Sequence, residues 1–174
     1  MRKLSILMVL CLLLGGLAFA QTRDDVSSHK SCNYCGMDRG VFDFSRMLIE
    51  YSDGTVKAVC SLHCAATDLA NNIDKTPNSI KVGDFNGKQL IDAEKAFWVI
   101  GGNKPGVLSK KAKWAFEQKD DAENFIKTNQ GKLASFEEAL NAAYGGMAED
   151  TIMIRERRAM KRIKETSQTS DASH

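Results

Sequence analysis

The sequence predicts an α+β protein made of two small units, each with paired antiparallel strands and a helix, and a treble-clef-like first unit. Short apolar runs alternate with turn residues, which is typical of short strands joined by hairpins. Two apolar segments with helical spacing follow residues that commonly begin helices. Four cysteines, in two pairs, stand on either side of the first predicted hairpin. Together these observations favour a cysteine-rich unit followed by a second unit without cysteine.

The first unit spans residues 31–82. Asp53-Gly54 provides the positive φ that a tight hairpin turn needs, so apolar runs on both sides are predicted strands. Ser61 is a suitable N-cap for the helix that follows the second strand. The predicted elements are a strand over 46–51, a strand over 55–60 and a helix over 62–71.

The second unit spans residues 83–146, and a charged tail follows over 147–174. Asn86-Gly87 predicts a turn, and Gly145-Gly146 is expected to end the last helix. The tail is predicted to hold one short, weakly amphipathic helix and to be disordered from Thr166 onward. The predicted elements are strands over 79–85, 88–92, 96–100 and 112–116, and helices over 122–128 and 136–144.

The first twenty residues resemble a secretory signal peptide. A positive end at Arg2 and Lys3 precedes an apolar run over residues 4–17, and Ala18-Phe19-Ala20 fits the small-x-small cleavage pattern. The sequence therefore predicts export to the periplasm with cleavage after Ala20. Residues 21–30 are polar and are expected to form a flexible lead-in.

Two other fates of this leader are less consistent with its residues. The apolar run is shorter than a usual spanning helix, so no stable membrane span is expected after processing. Cys11 follows the bulky Leu10, where lipid attachment sites have a small residue. Cys11 is therefore expected to be lost with the leader.

Charge and side-chain composition argue against two classes of function. Without Arg2 and Lys3, 22 basic residues balance 22 acidic ones, so there is no electrostatic reason to expect a nucleic acid partner. The chain has three histidines, two of them near predicted flexible ends, and Ser61 has no evident paired base. The sequence predicts no hydrolytic site and no enzyme.

The cysteines outside the leader form a pattern typical of a metal site. Cys32 and Cys35 are separated by two residues, and Cys60 and Cys64 by three, with a gap of 24 residues between the pairs. A knuckle would supply the first pair and the start of a helix the second, where thiolate is favoured over thiol. Two alternatives remain: structural disulfides, which export favours, and a redox-active Cys-x-x-Cys.

The identity of the metal depends on residues near the thiols. Four thiolates suit a closed Zn(II) site, whereas Cu(I) also accepts thioether ligands. Met37 lies two residues after Cys35, so it is a candidate metal ligand as well as a candidate core residue. Met47 is predicted to fill the core, and His63 to face solvent, away from the face that Cys60 and Cys64 share.

These motifs resemble those of the NosL family, exported accessory proteins of nitrous oxide reductase. The resemblance covers about residues 31–144 and rests on Cys32-Asn-Tyr-Cys-Gly-Met37, Phe44–Tyr51, Cys60-Ser-Leu-His-Cys64 and, more loosely, Trp114–Phe116 with Ala122–Phe125. It implies two small α+β units similar to the metal-binding domain of organomercurial lyase. It also implies that the chain binds Cu(I) and delivers it to the copper clusters of the reductase.

Two features depart from the family pattern. Many members are lipoproteins, which this chain is not expected to be. Many carry a methionine after a glycine in the second unit, and the nearest position here is Leu108, after Gly106-Val107. The first unit must then supply the ligands.

The expected function is that of a periplasmic copper-binding accessory protein that holds Cu(I) through Cys32, Cys35, Cys60, Cys64 and Met37. It would pass the ion to a periplasmic copper enzyme by ligand exchange, without being an enzyme itself. The alternative is a structural Zn(II) treble-clef module that binds a protein partner. Thiol–disulfide exchange is a third possibility, distinguished by activity of the metal-free protein.

Overall fold

The computed structural model describes residues 24–171, and the predicted signal peptide lies outside this range. Its helices and two antiparallel sheets confirm the α+β class, with a treble-clef-like arrangement of knuckle, hairpin and helix in the first unit. In chain order the elements are α1 (Asp24–Ser28), β1 (Met47–Tyr51), β2 (Val56–Val59), α2 (Leu62–Asn71), β3 (Pro77–Gly83), β4 (Leu90–Asp92), β5 (Phe97–Ile100), β6 (Lys113–Phe116), α3 (Lys119–Asn129), β7 (Lys132–Ala134) and α4 (Phe136–Asp171).

The first sheet has four antiparallel strands in the order β2-β1-β3-β4. Its hairpin turns at Gly54, whose φ of 81° belongs to the left-handed region that glycine adopts without a Cβ penalty. Asp53 Oδ1 accepts a hydrogen bond of 2.8 Å from the Thr55 N–H, which stabilises the turn. In the central strand, Met47 pairs with Val59 on one side and with Val82 on the other.

The second sheet has three antiparallel strands in the order β6-β5-β7, and α3 packs against all three. The core of this unit is aromatic: the ring of Phe85 lies 5.3 Å from Trp114, 5.5 Å from Phe116 and 5.0 Å from Phe125, measured between centroids. Such tilted and edge-to-face contacts stabilise a small core beyond the area that it buries.

The assignment of strands to the two sheets differs from the one that the sequence predicted. The hairpin predicted at the start of the second unit, now β3 and β4, extends the first sheet, because β3 pairs with β1 from Met47–Val82 to Tyr51–Pro77. Strand β7 was not predicted, and it completes the second sheet by pairing with β5. Local patterns identified the β3–β4 hairpin but could not show which sheet edge it joins.

The predicted end of the last helix at Gly145-Gly146 is wrong, and so is the predicted disorder as far as it concerns residues 166–171. Helix α4 continues from Phe136 to Asp171. Neither glycine has the positive φ of a helix end, and each costs only about 1 kcal/mol relative to alanine. Buried side chains on both sides, such as Ala143 and Asp150, attach the helix to the body across this point.

Residues 24–28 form the short helix α1, where the sequence interpretation expected part of a flexible lead-in. Asp25 Oδ2 lies 2.8 Å from Arg39 Nη2 and 2.7 Å from Arg46 Nε, and both arginine side chains are almost completely buried. Burial raises the pKa of Asp25, but the hydrogen bonds and charges of Arg46 and Arg39 outweigh it and hold the pKa below its ordinary value. These ion pairs attach α1 to the first unit.

One continuous apolar core joins the two units around the cysteines. Three of the four cysteines are buried in it, together with Trp98 of β5 and Phe136 at the start of α4. Helix α4 packs against both α2 and β5. The cysteines therefore lie in the first unit but are covered by residues of the second. Within residues 24–171, no helix is both long and apolar enough to cross a membrane.

Candidate metal centre

The structure brings together the four cysteines that the sequence singled out. Their Sγ atoms all lie within 4.8 Å of one another. Cys60 Sγ is 3.4 Å from Cys35 Sγ and 3.9 Å from Cys64 Sγ. In a tetrahedral ZnS4 site with Zn–S bonds of about 2.3 Å, the sulfurs lie about 3.8 Å apart. The four thiols are therefore arranged around one point at distances suited to a thiolate-bound metal ion.

The first pair of thiols is held by a tight knuckle. The Cys32 N–H donates to the Met37 carbonyl at 2.9 Å, and the Gly36 N–H donates to the Cys32 carbonyl at 3.0 Å. Gly36 has a φ of 75°, a conformation in which a side chain would be strained. This glycine lets the backbone reverse so that both thiols point to the same side.

Two side chains inside the knuckle attach it to the rest of the first unit. Asn33 pairs with Ala58 of β2 twice: its N–H donates to the Ala58 carbonyl at 3.0 Å, and its Oδ1 accepts from the Ala58 N–H at 2.7 Å. The Tyr34 hydroxyl donates to Asp68 Oδ1 of α2 at 2.6 Å. Burial and the Asp68 carboxylate raise the pKa of Tyr34 to about 12, so the hydroxyl remains a donor.

The second pair of thiols lies where β2 leads into α2. Ser61 is the N-cap residue, as predicted, although its side chain makes no capping hydrogen bond. The Ser45 hydroxyl donates to the Cys60 carbonyl at 2.9 Å and fixes the backbone just before the helix. Cys64, in the first turn of α2, lies one turn beyond Cys60, so both thiols face the knuckle.

The thiols hold their protons unequally because they lie in contact with one another. Contacts from the thiols of Cys35, Cys60 and Cys64 hold the pKa of Cys32 well below its ordinary value. The contact with Cys32 raises the pKa of Cys35, but the thiols of Cys60 and Cys64 and the Met37 N–H lower it to about 7 overall. The neighbouring Cys32 raises the pKa values of Cys60 and Cys64. The cluster thus favours thiolate at Cys32 and keeps protons on Cys60 and Cys64, which are released when a cation binds.

The cluster lies beside an open cavity of about 280 Å³. Cys35 and Cys64 line this cavity from the first unit, and Arg155 and Arg158 line it from α4. Arg158 Nη2 also donates to the Cys35 carbonyl at 3.4 Å. Cys32 and Cys60 do not line it, and Cys32, Cys60 and Cys64 are 4%, 0% and 3% exposed, whereas Cys35 is half-buried. The site is therefore deep on one side and open to cationic side chains on the other.

The two methionines near the site are both packed. Met37 is half-buried against the core that contains the cysteines, and its ligand role stays a prediction. Met47 is fully buried, as the sequence predicted for a core residue. Leu108, at the position where many family members carry methionine, has a φ of 55° and lines the cavity with Cys35 and Cys64.

The prediction that His63 faces solvent is wrong. Its side chain is 8% exposed and lines the same cavity. His63 Nδ1 lies 3.4 Å from Oδ2 of Asp150 on α4. Burial lowers the pKa of His63, and the Asp150 charge opposes this shift. The sequence interpretation missed this because α4 was expected to end before residue 150.

Other supporting residues were also missed. Asp68 accepts hydrogen bonds from two tyrosines, Tyr34 at 2.6 Å and Tyr51 at 2.5 Å, although it is fully buried. A carboxylate among the apolar residues of a helix, with tyrosine in both the knuckle and the preceding strand, was the available signal. Arg155 and Arg158 had no such signal, because only the continuation of α4 brings them to the cysteines.

Comparison with known proteins agrees with this arrangement. The crystal structure of the copper chaperone NosL from Shewanella denitrificans is similar at a TM-score of 0.52 and 26% sequence identity, over 64% of this chain and 90% of that one. The search of curated proteins found no match. The profile of the NosL family matches residues 23–156, which include the whole cysteine cluster, and the chain therefore belongs to the NosL family.

Proposed function

We propose that this protein binds Cu(I) through Cys32, Cys35, Cys60 and Cys64, with the Met37 thioether as an additional ligand. It delivers the ion to a periplasmic copper enzyme, nitrous oxide reductase. The protein is a metallochaperone and not an enzyme. It is exported with a signal peptide cleaved after Ala20, so its mature chain begins at Gln21.

The observation that carries this proposal is the convergence of four thiols within 4.8 Å beside an open cavity. Thiolate and thioether are the soft ligands that select Cu(I). A carrier must also let an incoming ligand reach the ion before the donor leaves, and the half-buried Cys35 and the cavity provide that access. The similarity to a copper chaperone supports the same assignment.

One observation favours a second candidate, a structural Zn(II) treble-clef module that binds a protein partner. The sulfur separations of 3.4 and 3.9 Å are close to the edge of a ZnS4 tetrahedron, about 3.8 Å. Zn(II) with four thiolates is coordinatively complete and needs no access from solvent. The open cavity beside the thiols supports the carrier over this module.

Metal competition under anaerobic, reducing conditions tests the proposal. The purified protein should compete for Cu(I) with a chromophoric chelator, and the copper-loaded protein should restore copper to metal-free nitrous oxide reductase. Cys60→Ser should weaken Cu(I) binding by at least about 100-fold, since even residues behind the ligands contribute about 10- to 100-fold. Ala70→Ser, which adds the same hydroxyl on the exposed face of α2, is the control. A protein that retains zinc and cannot compete for Cu(I) would make the structural module the correct assignment.

A further inference from the structure

A buried histidine–carboxylate pair stands beside the cysteine cluster. His63 lies on α2 between Cys60 and Cys64, and its Nδ1 faces Asp150 Oδ2 at 3.4 Å. Within the described residues neither of these two buried atoms has another polar partner, so the contact between them is the one that each makes. Asp150 is 1% exposed, and its other oxygen accepts from the Lys110 N–H at 2.7 Å. The carboxylate is thus held in place with one oxygen directed at the imidazole.

This arrangement is the one that usually supports a metal-binding histidine. A carboxylate beside one ring nitrogen keeps the proton there, fixes the ring and leaves the other nitrogen as a free lone pair. Burial of such a pair costs free energy of folding. A histidine exposed to solvent would avoid this cost if the residue were needed only for helix packing. The pair therefore indicates a role for the imidazole lone pair.

His63 lies outside the group of four thiols but lines the cavity beside them. It is not among the groups whose ligand atoms lie within 4.8 Å of one another. It does line the cavity with Cys35 and Cys64. An ion that left the sulfurs through this cavity would therefore come beside His63.

We propose that His63, oriented by Asp150, is a transfer ligand through which Cu(I) moves between the cysteine cluster and a recipient. This inference rests on the proposed function. In the transfer step a bond forms between Cu(I) and the ring nitrogen remote from Asp150, and a bond to a buried thiolate breaks. Copper keeps its oxidation state, and the released thiolate takes a proton from solvent. Asp150 acts as a positioning residue.

The test compares equilibrium affinity with transfer rate. Copper-loaded wild type, His63→Gln and Asp150→Asn are mixed with excess chromophoric chelator, and Cu(I) release is followed by stopped-flow absorbance. We expect affinity within about threefold of wild type, and release slowed at least about tenfold for His63→Gln and about fivefold for Asp150→Asn, in line with the 10- to 100-fold effects of metal-site support residues. Thr151→Ala, which alters another cavity residue without a metal-binding ring, should match wild type.

A second measurement needs no substitution in the transfer ligand. Long-range proton–nitrogen NMR on the wild type should show His63 protonated at Nδ1, and Cu(I) added beyond the first equivalent should shift its other nitrogen. Asp150→Asn should change which ring nitrogen of His63 carries the proton. No such change is expected if Asp150 only fills space beside the helix.

Unchanged release rates in folded variants overturn the inference while leaving Cu(I) binding intact. A parallel loss of affinity also overturns it, because His63 would then be a resident ligand. Failure of wild type to bind Cu(I) overturns the proposed function itself.

Discussion

The Sγ atoms of Cys35 and Cys60 lie 3.4 Å apart although 25 positions separate them in the chain. The intervening hairpin alone does not produce this distance. Asn33 attaches the knuckle to β2, and Tyr34 attaches it to Asp68 of α2. Contacts outside the thiols therefore contribute to their convergence, which lowers the ordering cost of metal binding.

Substitution of Met37 should distinguish a Cu(I) site from a Zn(II) site. Met37→Ala should weaken Cu(I) binding by about tenfold, the effect of a contribution near 1.4 kcal/mol, and leave Zn(II) affinity unchanged, because Zn(II) prefers thiolate and imidazole over thioether. Parallel Cu(I) and Zn(II) competition titrations measure both affinities. Met47→Leu, a core substitution of similar volume, is the control. Equal Cu(I) affinity in Met37→Ala and wild type would show that the thioether is not a ligand.

At Leu108 a thioether can be added instead of removed. Leu108→Met places a thioether at the cavity beside Cys35 and Cys64, and this volume-conserving change should cost less than about 1.5 kcal/mol of stability. We expect tighter Cu(I) binding and unaltered Zn(II) binding. Leu69→Met, on α2 outside the cavity lining, should have neither effect. Identical Cu(I) competition curves for the two methionine variants would count against a ligand position at residue 108.

Metal removal should affect the two units differently. With the ion extracted, the thiols lose their common partner, so hydrogen exchange should accelerate most in residues 31–38 and 60–66. A structural metal site contributes folding free energy directly, so the loss should be greatest in the segments that carry the ligands. The aromatic core around Trp114 and Phe125 has no metal ligand and should keep its protection. Exchange rates that do not respond to a chelator at either segment would argue against a metal that stabilises the fold.

Asp25 should make the first unit sensitive to acid. Its folded-state pKa lies below the ordinary value of 3.8, so its stabilisation is present above that value and is lost as pH falls through the lower, folded-state pKa. Asp25→Asn leaves two buried arginines without their carboxylate and should cost about 3 kcal/mol at neutral pH.

Urea unfolding at several pH values measures this effect. The difference in unfolding free energy between wild type and Asp25→Asn should shrink as the pH falls below 3.8. Ser28→Ala, exposed on the same helix and without a titratable group, is the control and should stay close to wild type at each pH. A difference that does not change with pH would mean that the Asp25 charge contributes no stability.

Local features of the sequence were sufficient for much of the site. Gly36 and the Cys32–Cys35 spacing predicted the knuckle, Asp53-Gly54 the hairpin turn, and Ser61 the start of α2, because each depends on the conformational preferences of a few adjacent residues. From these local elements the sequence predicted that the four cysteines form one metal site. The spacing could not distinguish among metals, since Zn(II) and Cu(I) both accept thiolate.

The sequence by itself therefore determined the α+β class, the cysteine knuckle and the helix that carries the second thiol pair, since short-range backbone preferences control all three. Only the tertiary structure decided that β3 joins the first sheet, that α4 continues past Gly145-Gly146, and that His63 meets Asp150. These outcomes depend on packing between segments far apart in the chain. Buried contacts there outweigh the roughly 1 kcal/mol preferences by which local sequence signals the end of a helix.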